Sequence, residues 1–353
     1  MLNVYELEAQ ITAAMREAVV PGLALAVVEG QQVRYARGFG STSVEEGGIA
    51  VTPATLFRVG SVTKPLTGTA VMRLVDNGKL DLDRTVQSYL PWFRLSEQVA
   101  TETVTLRMLL SHTSGLPHDH QPFGRRDAEA LETRIRQEVP RYALVAAPGT
   151  TYSYSNTGIH VLAYLIEVVT NMHYTEAMHD LVFAPLAMGR TTFDPTVAMT
   201  YPLAQSHELA DDGTLRVAHR FADNAAHYAS GMAISSVLDL ANFAVLHLNQ
   251  GSFDGRRIFT SEAVQEMHHP QVTISDRAAY GLTFSTRTQR GVRRVGHNGA
   301  ITNFGAVLDM APDNQVAVIA LYNRLPREFA LPRIINRLID RLLELPDEAP
   351  EGI

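Results

Sequence analysis

The sequence predicts a mixed α/β (α+β) fold: an antiparallel sheet flanked by helices, plus an all-helical domain. Two observations carry this expectation. Strand-like runs lie near both ends of the 353-residue chain, while its middle is written in helical spacing with Gly and Pro at the connections. Both are satisfied by one discontinuous α/β domain, residues 1–61 and 231–353, whose sheet is built from the two ends. A mainly helical domain, 62–230, is then inserted between its halves. The length suits two subdomains better than one simple core.

The elements follow in order. Val4, Leu7, Ile11, Ala14, Met15 and Val19 recur near helical spacing over 3–19, giving an amphipathic helix that ends before Pro21-Gly22. Leu23–Val28 is a short apolar run, Glu29-Gly30-Gln31 is a turn signal, and Val33–Phe39 alternates as a second strand. A helix from about Val62 to Val75 stops at Asp76-Asn77-Gly78. Pro65 fits that helix only near its first turn. Further helices are expected over 104–111, 125–139, 157–170 and 235–249. The chain then changes character. Tyr280–Ser285, Arg294–His297, Phe304–Met310 and Gln315–Tyr322 read as strands, with Pro312-Asp313-Asn314 turning between the last two. A helix over about Phe329–Leu345 closes the chain. Phe57, Met72, Trp92 and Met108 read as core.

Composition narrows the function classes. Hydrophobic residues make up 46% and charged residues 19%, as in soluble globular proteins. The net charge is −7 and basic residues cluster no further than pairs such as Arg293-Arg294, which argues against nucleic acid as a partner. The absence of cysteine excludes disulfides and thiolate chemistry. No run of about 18 apolar residues suggests a membrane span. The start, Met1-Leu2-Asn3-Val4, lacks a basic segment followed by an apolar core, so a cytoplasmic chain is expected unless it has been trimmed.

The stretch Phe57-Arg58-Val59-Gly60-Ser61-Val62-Thr63-Lys64-Pro65 carries the chemistry. Residues three apart share one face of a helical turn, so the Lys64 amine can reach the Ser61 hydroxyl. A serine becomes a good nucleophile when a neighbouring base takes its proton. Lysine can be that base once burial or nearby positive charge lowers its pKa. Of 30 Lys and Arg residues only Lys64 and Lys79 are lysines, and arginine cannot shed a proton. The plainer alternative is a helix-capping serine and a solvated lysine. Ser61 at the mouth of a helix also meets outward-pointing N–H groups, which stabilise a forming oxyanion.

Two other pieces read ambiguously by themselves. Tyr154 and Asn156 can present a phenol and an amide from one loop, or Asn156 can simply cap the next helix. In Gly296-His297-Asn298-Gly299-Ala300 the glycines allow close backbone approach, or merely make a turn.

Taken together, S-x-x-K at 61–64, Y-x-N at 154–156 and H-x-G at 297–299 resemble the motif set of the serine β-lactamase and penicillin-binding protein superfamily. The likeness is greatest to the branch of class C β-lactamases, DD-carboxypeptidases, D-aminopeptidases and esterases, and it spans about residues 5–345. Leu109 to Pro117, Pro148-Gly149 and Tyr280-Gly281-Leu282 also look like stretches of that branch. The resemblance implies a β-lactamase/DD-peptidase-like fold with the active site between the two domains. It implies Ser61 as nucleophile, with Lys64 and Tyr154 sharing the proton work and Tyr152 as the rival tyrosine. Asn156, His297, Gly299 and Ala300 would bind substrate, and the amides of Ser61 and Ala300 would form an oxyanion hole. A small-molecule or peptide-like substrate is expected, with no cofactor and no metal.

Departures from the branch refine the expectation. His297 replaces a lysine whose charge would meet a substrate carboxylate, and Asn298 and Ala300 stand where related carboxypeptidases carry hydroxyl residues. Arg287, Arg290 or Arg294 remain as sources of that charge. The reading favoured is an esterase-like or peptide-like amide hydrolase with at most weak β-lactamase activity. The alternatives are a DD-carboxypeptidase or D-aminopeptidase, and a penicillin-binding sensor that acylates without turnover. His112, His118 and His120 with Asp119 invite a metal reading, but no fourth ligand is obvious and a cluster at the cleft rim is preferred. Asp119 and His120 are expected to face the substrate channel.

Overall fold

The computed structural model describes residues 3–326 and 330–345. Helix α1 (Val4–Glu17) is capped by Asn3, whose side chain accepts a hydrogen bond from the Glu6 amide. Leu7, Ile11, Ala14 and Met15 form its buried stripe. The hairpin of β1 (Gly22–Glu29) and β2 (Gln32–Gly40) follows. It turns at Gly30, whose φ of 60° is left-handed. Helix α2 (Thr63–Asp76) ends at Asn77 as expected, and Pro65 lies in its first turn. Helices α3 (Asn156–Thr170) and α4 (Val237–Leu248) come next. Six strands follow: β3 (Val272–Ser275), β4 (Ala278–Tyr280), β5 (Ser285–Gln289), β6 (Val292–Ile301), β7 (Phe304–Ala311) and β8 (Val316–Tyr322). Helix α5 (Ala330–Leu342) is the last element described; the expected start at Phe329 lies outside the described residues.

The strands form one eight-stranded antiparallel sheet in the order β2-β1-β8-β7-β6-β5-β4-β3. The first hairpin therefore lies beside the last strand, with Leu25 opposite Ala320. Alternation along β1 separates two packing faces. Leu23, Leu25 and Val27 face α1 and α5, against Ile335, Leu338 and Ile339. Ala24, Ala26 and Val28 face the other way, towards α4. That second cluster runs unbroken from the sheet into α2 and α3.

Several elements differ from their sequence reading. Tyr280–Ser285 is no strand but a hairpin turn, with Tyr280 paired to Ser285. Leu282 and Phe284 are fully buried in the turn and mimic strand alternation, while Thr283 is left-handed at φ 65°. The strand expected over Arg294–His297 runs on to Ile301, so the H-x-G motif lies within β6 and not at its end. The helix expected over 104–111 is Leu106–Leu110, capped by Thr105 and closed where His112 turns left-handed at φ 58°. The one expected over 125–139 starts at Ala130 and widens into a π turn, Arg134–Glu138. Ahead of it, Asp127 holds Arg125 and the Glu129 amide in a loop.

The three arginines considered for substrate charge serve the sheet instead. Arg294 is fully buried, bonded to Asp309 of β7 and, at 2.9 Å, to Asp340 of α5. Arg287 reaches Asp309 at 2.8 Å and Arg290 reaches Asp340 at 3.7 Å. Removing one member of a buried ion network leaves buried charge without its counterpart. Asp309→Ala is therefore expected to lower unfolding free energy by about 3 kcal/mol, read by urea denaturation.

Candidate active site

Ser61 occupies a single 3-10 turn, Gly60–Val62, that feeds directly into α2. Two glycines bring this turn against β6. Gly60 has φ 52°, and a Cβ on it would lie 2.6 Å from Ala300 N. A Cβ on Gly299 would lie 2.0 Å from Val59 O and 3.1 Å from Ser61 N. Backbone thus meets backbone, and the Ser61 turn packs closely on the stretch of β6 that carries Gly299 and Ala300.

Lys64 is fully buried one turn further on. Its Nζ is 3.0 Å from Ser61 Oγ and 2.6 Å from the Ser230 carbonyl oxygen. It also lies 4.7 Å from the centre of the Tyr154 ring. Burial, with no carboxylate to offset it, holds the amine well below its ordinary pKa. Burial pushes the Tyr154 phenol the other way, only partly opposed by its hydrogen bond with Ser61. The pair is thus an amine that gives up its proton more readily than usual and a phenol that gives up its own less readily.

Asn156 does not cap α3. Ser155 does, accepting from the Gly158 amide at 3.0 Å. Freed from that task, the Asn156 Nδ2 donates to the Asp119 carbonyl at 2.7 Å, and its Oδ1 is buried with no hydrogen-bond partner among the described residues. Such an acceptor costs about 1–3 kcal/mol to leave unsatisfied.

His297 is buried and doubly tied. Its Nδ1 is 2.6 Å from the Asn298 carbonyl oxygen, and its Nε2 is 3.0 Å from the Tyr280 hydroxyl. A carbonyl only accepts, so Nδ1 carries the hydrogen and Nε2 accepts from Tyr280. Burial, then the neighbouring Lys64, pushes its pKa down to about 3. The ring is uncharged at neutral pH and cannot supply the positive charge of a lysine there.

The remaining wall is aromatic. The His112 ring lies 4.4 Å from Tyr154 and 4.9 Å from Tyr280, and His118 lies 5.5 Å from Tyr154. Tyr152 packs on Tyr280 at 5.5 Å, while the ring over Lys64 is that of Tyr154. Contrary to expectation, the Asp119 carboxylate turns inwards, to Tyr142 at 3.0 Å and Arg134 at 2.5 Å. Among the described residues no group of three or more His, Asp or Glu is arranged to hold a metal ion. Sequence reasoning missed the Ser230 carbonyl, the Asp119 carbonyl and the Tyr280 hydroxyl. Tyr280 and Asp119 lay in stretches already noted, though neither for these contacts; Ser230 lay in none.

A serine hydroxyl beside a buried lysine amine, in a turn packed against β6, is the arrangement of a serine hydrolase. The chain belongs to the Beta-lactamase family, whose model matches residues 7–340. Penicillin-binding protein 4 of Amycolatopsis lactamdurans is 32% identical over 315 residues, 86% of this chain and 81% of that protein. Unguisins hydrolase ungD' of Aspergillus campestris is 30% identical over 346 residues, covering 93% of this chain. The chain spans 64% of that hydrolase's length. The octameric penicillin-binding protein homologue from Pyrococcus abyssi shares the fold with a TM-score of 0.84 at 26% identity, over 97% of this chain and 78% of that one. The fold is thus the β-lactamase/DD-peptidase-like one expected from the motifs. No helix among the described residues is long and apolar enough to cross a membrane.

Proposed function

We propose that this serine hydrolase cleaves an ester or a peptide-like amide through an acyl-enzyme on Ser61. The observation that most supports this reading is the buried Lys64 amine, 3.0 Å from Ser61 Oγ. Ser61 Oγ bonds to the substrate carbonyl carbon as its proton passes to the Lys64–Tyr154 pair. The oxyanion is held by the amides of Ser61 and Ala300. The same proton then goes to the leaving oxygen or nitrogen as the tetrahedral intermediate collapses. Water repeats both steps, releasing the acid and restoring Ser61. Asn156 Oδ1, buried with no hydrogen-bond partner among the described residues, accepts a hydrogen from the substrate. The substrate lies in the cleft between the sheet domain, 1–61 and 231–353, and the helical domain, 62–230.

The carboxylate side favours this reading over a DD-carboxypeptidase. His297 is neutral, Ala300 has no side-chain donor, and the three arginines are engaged elsewhere. A substrate ending in a free carboxylate finds no fixed positive charge in these groups.

The test is p-nitrophenyl butyrate and nitrocefin hydrolysis by the purified chain, with intact mass after exposure to a penicillin. Turnover of the ester is expected to exceed that of nitrocefin, and any adduct is expected on the peptide carrying Ser61. Neither is expected in Ser61→Ala. A stable adduct without turnover would instead identify a penicillin-binding sensor, and turnover surviving in Ser61→Ala would remove Ser61 from the reaction.

A further inference from the structure

We propose that Arg134 and His160 are positioning residues for Lys64, and that Arg134 also braces Asn156; this rests on the Ser61–Lys64 reading above. Arg134 opens the π turn Arg134–Glu138, a helix distortion that often accompanies functional sites, and is only 1% exposed. Its guanidinium forks to three partners. Nε is 3.1 Å from His160 Nδ1, Nη1 is 2.7 Å from Glu138, and Nη2 is 2.5 Å from Asp119.

A guanidinium has donors and no acceptor, so it dictates every proton downstream. His160 Nδ1 accepts from Arg134, which puts the ring hydrogen on Nε2. Nε2 lies 2.7 Å from Ser230 Oγ and therefore donates to it. The Ser230 hydroxyl is left to donate to the His227 carbonyl, 3.2 Å away. Residue 230 is thereby pinned on both sides. Its own carbonyl is the one that takes a hydrogen from Lys64 Nζ at 2.6 Å. An amine that spends a hydrogen there can turn its lone pair to the Ser61 hydroxyl.

The second branch starts from the same guanidinium. Arg134 holds the Asp119 carboxylate, and the Asp119 carbonyl accepts from Asn156 Nδ2 at 2.7 Å. One buried cation thus orders a group beside the nucleophile and a group on the substrate side. The ionisable neighbours of His160 are Arg134, His227 at 4.3 Å between ring centres, Lys64 and His118. Burial, foremost, and these neighbours keep the imidazole uncharged.

A brace that served stability alone would leave the titration of Lys64 where it is, and this separates the two roles. Lys64 and the exposed Lys79 are the only lysines, so protein labelled with 13C at lysine Cε gives two resonances. In His160→Leu the Ser230 carbonyl loses its pin and water gains access to Nζ. The Lys64 transition is expected to move to higher pH, with KM little changed. The turnover number at fixed pH falls about tenfold for each unit the transition lies above it. His160→Gln offers an acceptor to Arg134 and a donor to Ser230, and is expected to restore both readings. Arg134→Lys keeps the charge but not the fork; it adds a third lysine resonance, and its Lys64 transition is expected to follow that of His160→Leu. Should His160→Leu not fold, Ser230→Ala cuts the same chain at the hydroxyl. A Lys64 transition unmoved in folded His160→Leu or Ser230→Ala would overturn the positioning role. A wild-type Lys64 that titrates at its ordinary value would overturn the base reading instead.

Discussion

Lys64→Met is expected to lose turnover by a factor on the order of 10^4 while melting several degrees higher than the wild type. The two effects have one cause. Folding buries the Lys64 amine and depresses its pKa, whereas in the unfolded chain it titrates near about 10.4. Between those values the unfolded chain binds a proton that the folded chain does not. Stability is then lowered at neutral pH and recovers as pH rises towards about 10.4. Each unit of depression above the pH of measurement costs about 1.4 kcal/mol. Methionine fills similar space without a charge to desolvate, so the cost disappears. Calorimetry at several pH values checks this: wild-type stability should climb from neutral to alkaline pH more steeply than that of Lys64→Met. The same titration shapes the rate. kcat/KM should fall as pH drops through the depressed pKa, because a protonated amine cannot accept the Ser61 proton. A Lys64→Met protein that keeps a tenth of wild-type activity would remove Lys64 from the base role.

Gly299→Ala is expected to reduce kcat by about 10^2 to 10^3, comparable to losing one oxyanion donor in other hydrolases. The added Cβ would lie 2.0 Å from Val59 O and 3.1 Å from Ser61 N. Both obstacles are backbone, so no rotamer change relieves them. The strand and the Ser61 turn must part, which displaces the Ser61 and Ala300 amides of the proposed oxyanion hole. A stability loss of about 1–3 kcal/mol should accompany the rate loss. Gly189→Ala is the control, since a Cβ there meets nothing within 4 Å. It should leave both rate and stability within about 0.5 kcal/mol of wild type. Pre-steady-state acylation by p-nitrophenyl butyrate is the direct readout. Acylation within tenfold of wild type in Gly299→Ala would mean that the proposed oxyanion hole is not needed.

How much of this was legible in the sequence depended on distance along the chain. Ser61 and Lys64 could be placed together because three residues make one turn. The first hairpin and the last two strands could be read because turn residues and alternation are local signals. The turn at Gly281–Phe284 could not, because buried Leu282 and Phe284 satisfy strand alternation while Thr283 bends the backbone. The fates of Arg287, Arg290 and Arg294 were hidden for another reason. Their acids, Asp309 and Asp340, lie on other elements, and no local pattern announces the pairing. The chain from Arg134 through His160 to Ser230 is the extreme case, joining residues 26 and then 70 positions apart. Asn156 shows the same limit at short range. Its neighbour Ser155 was equally able to cap the helix, and only the placement of Asp119 decides between them.

The neighbouring of β1 and β8 also sets the timing of synthesis. The Gly22 amide donates to Asn323 Oδ1 at 2.8 Å across 301 positions of chain. At about 5–20 residues per second, a ribosome takes roughly 15–60 s to make that interval. Throughout it, β1 has one edge unpaired and apolar side chains on both faces. The first hairpin therefore keeps one apolar strand edge unpaired until the last strand arrives.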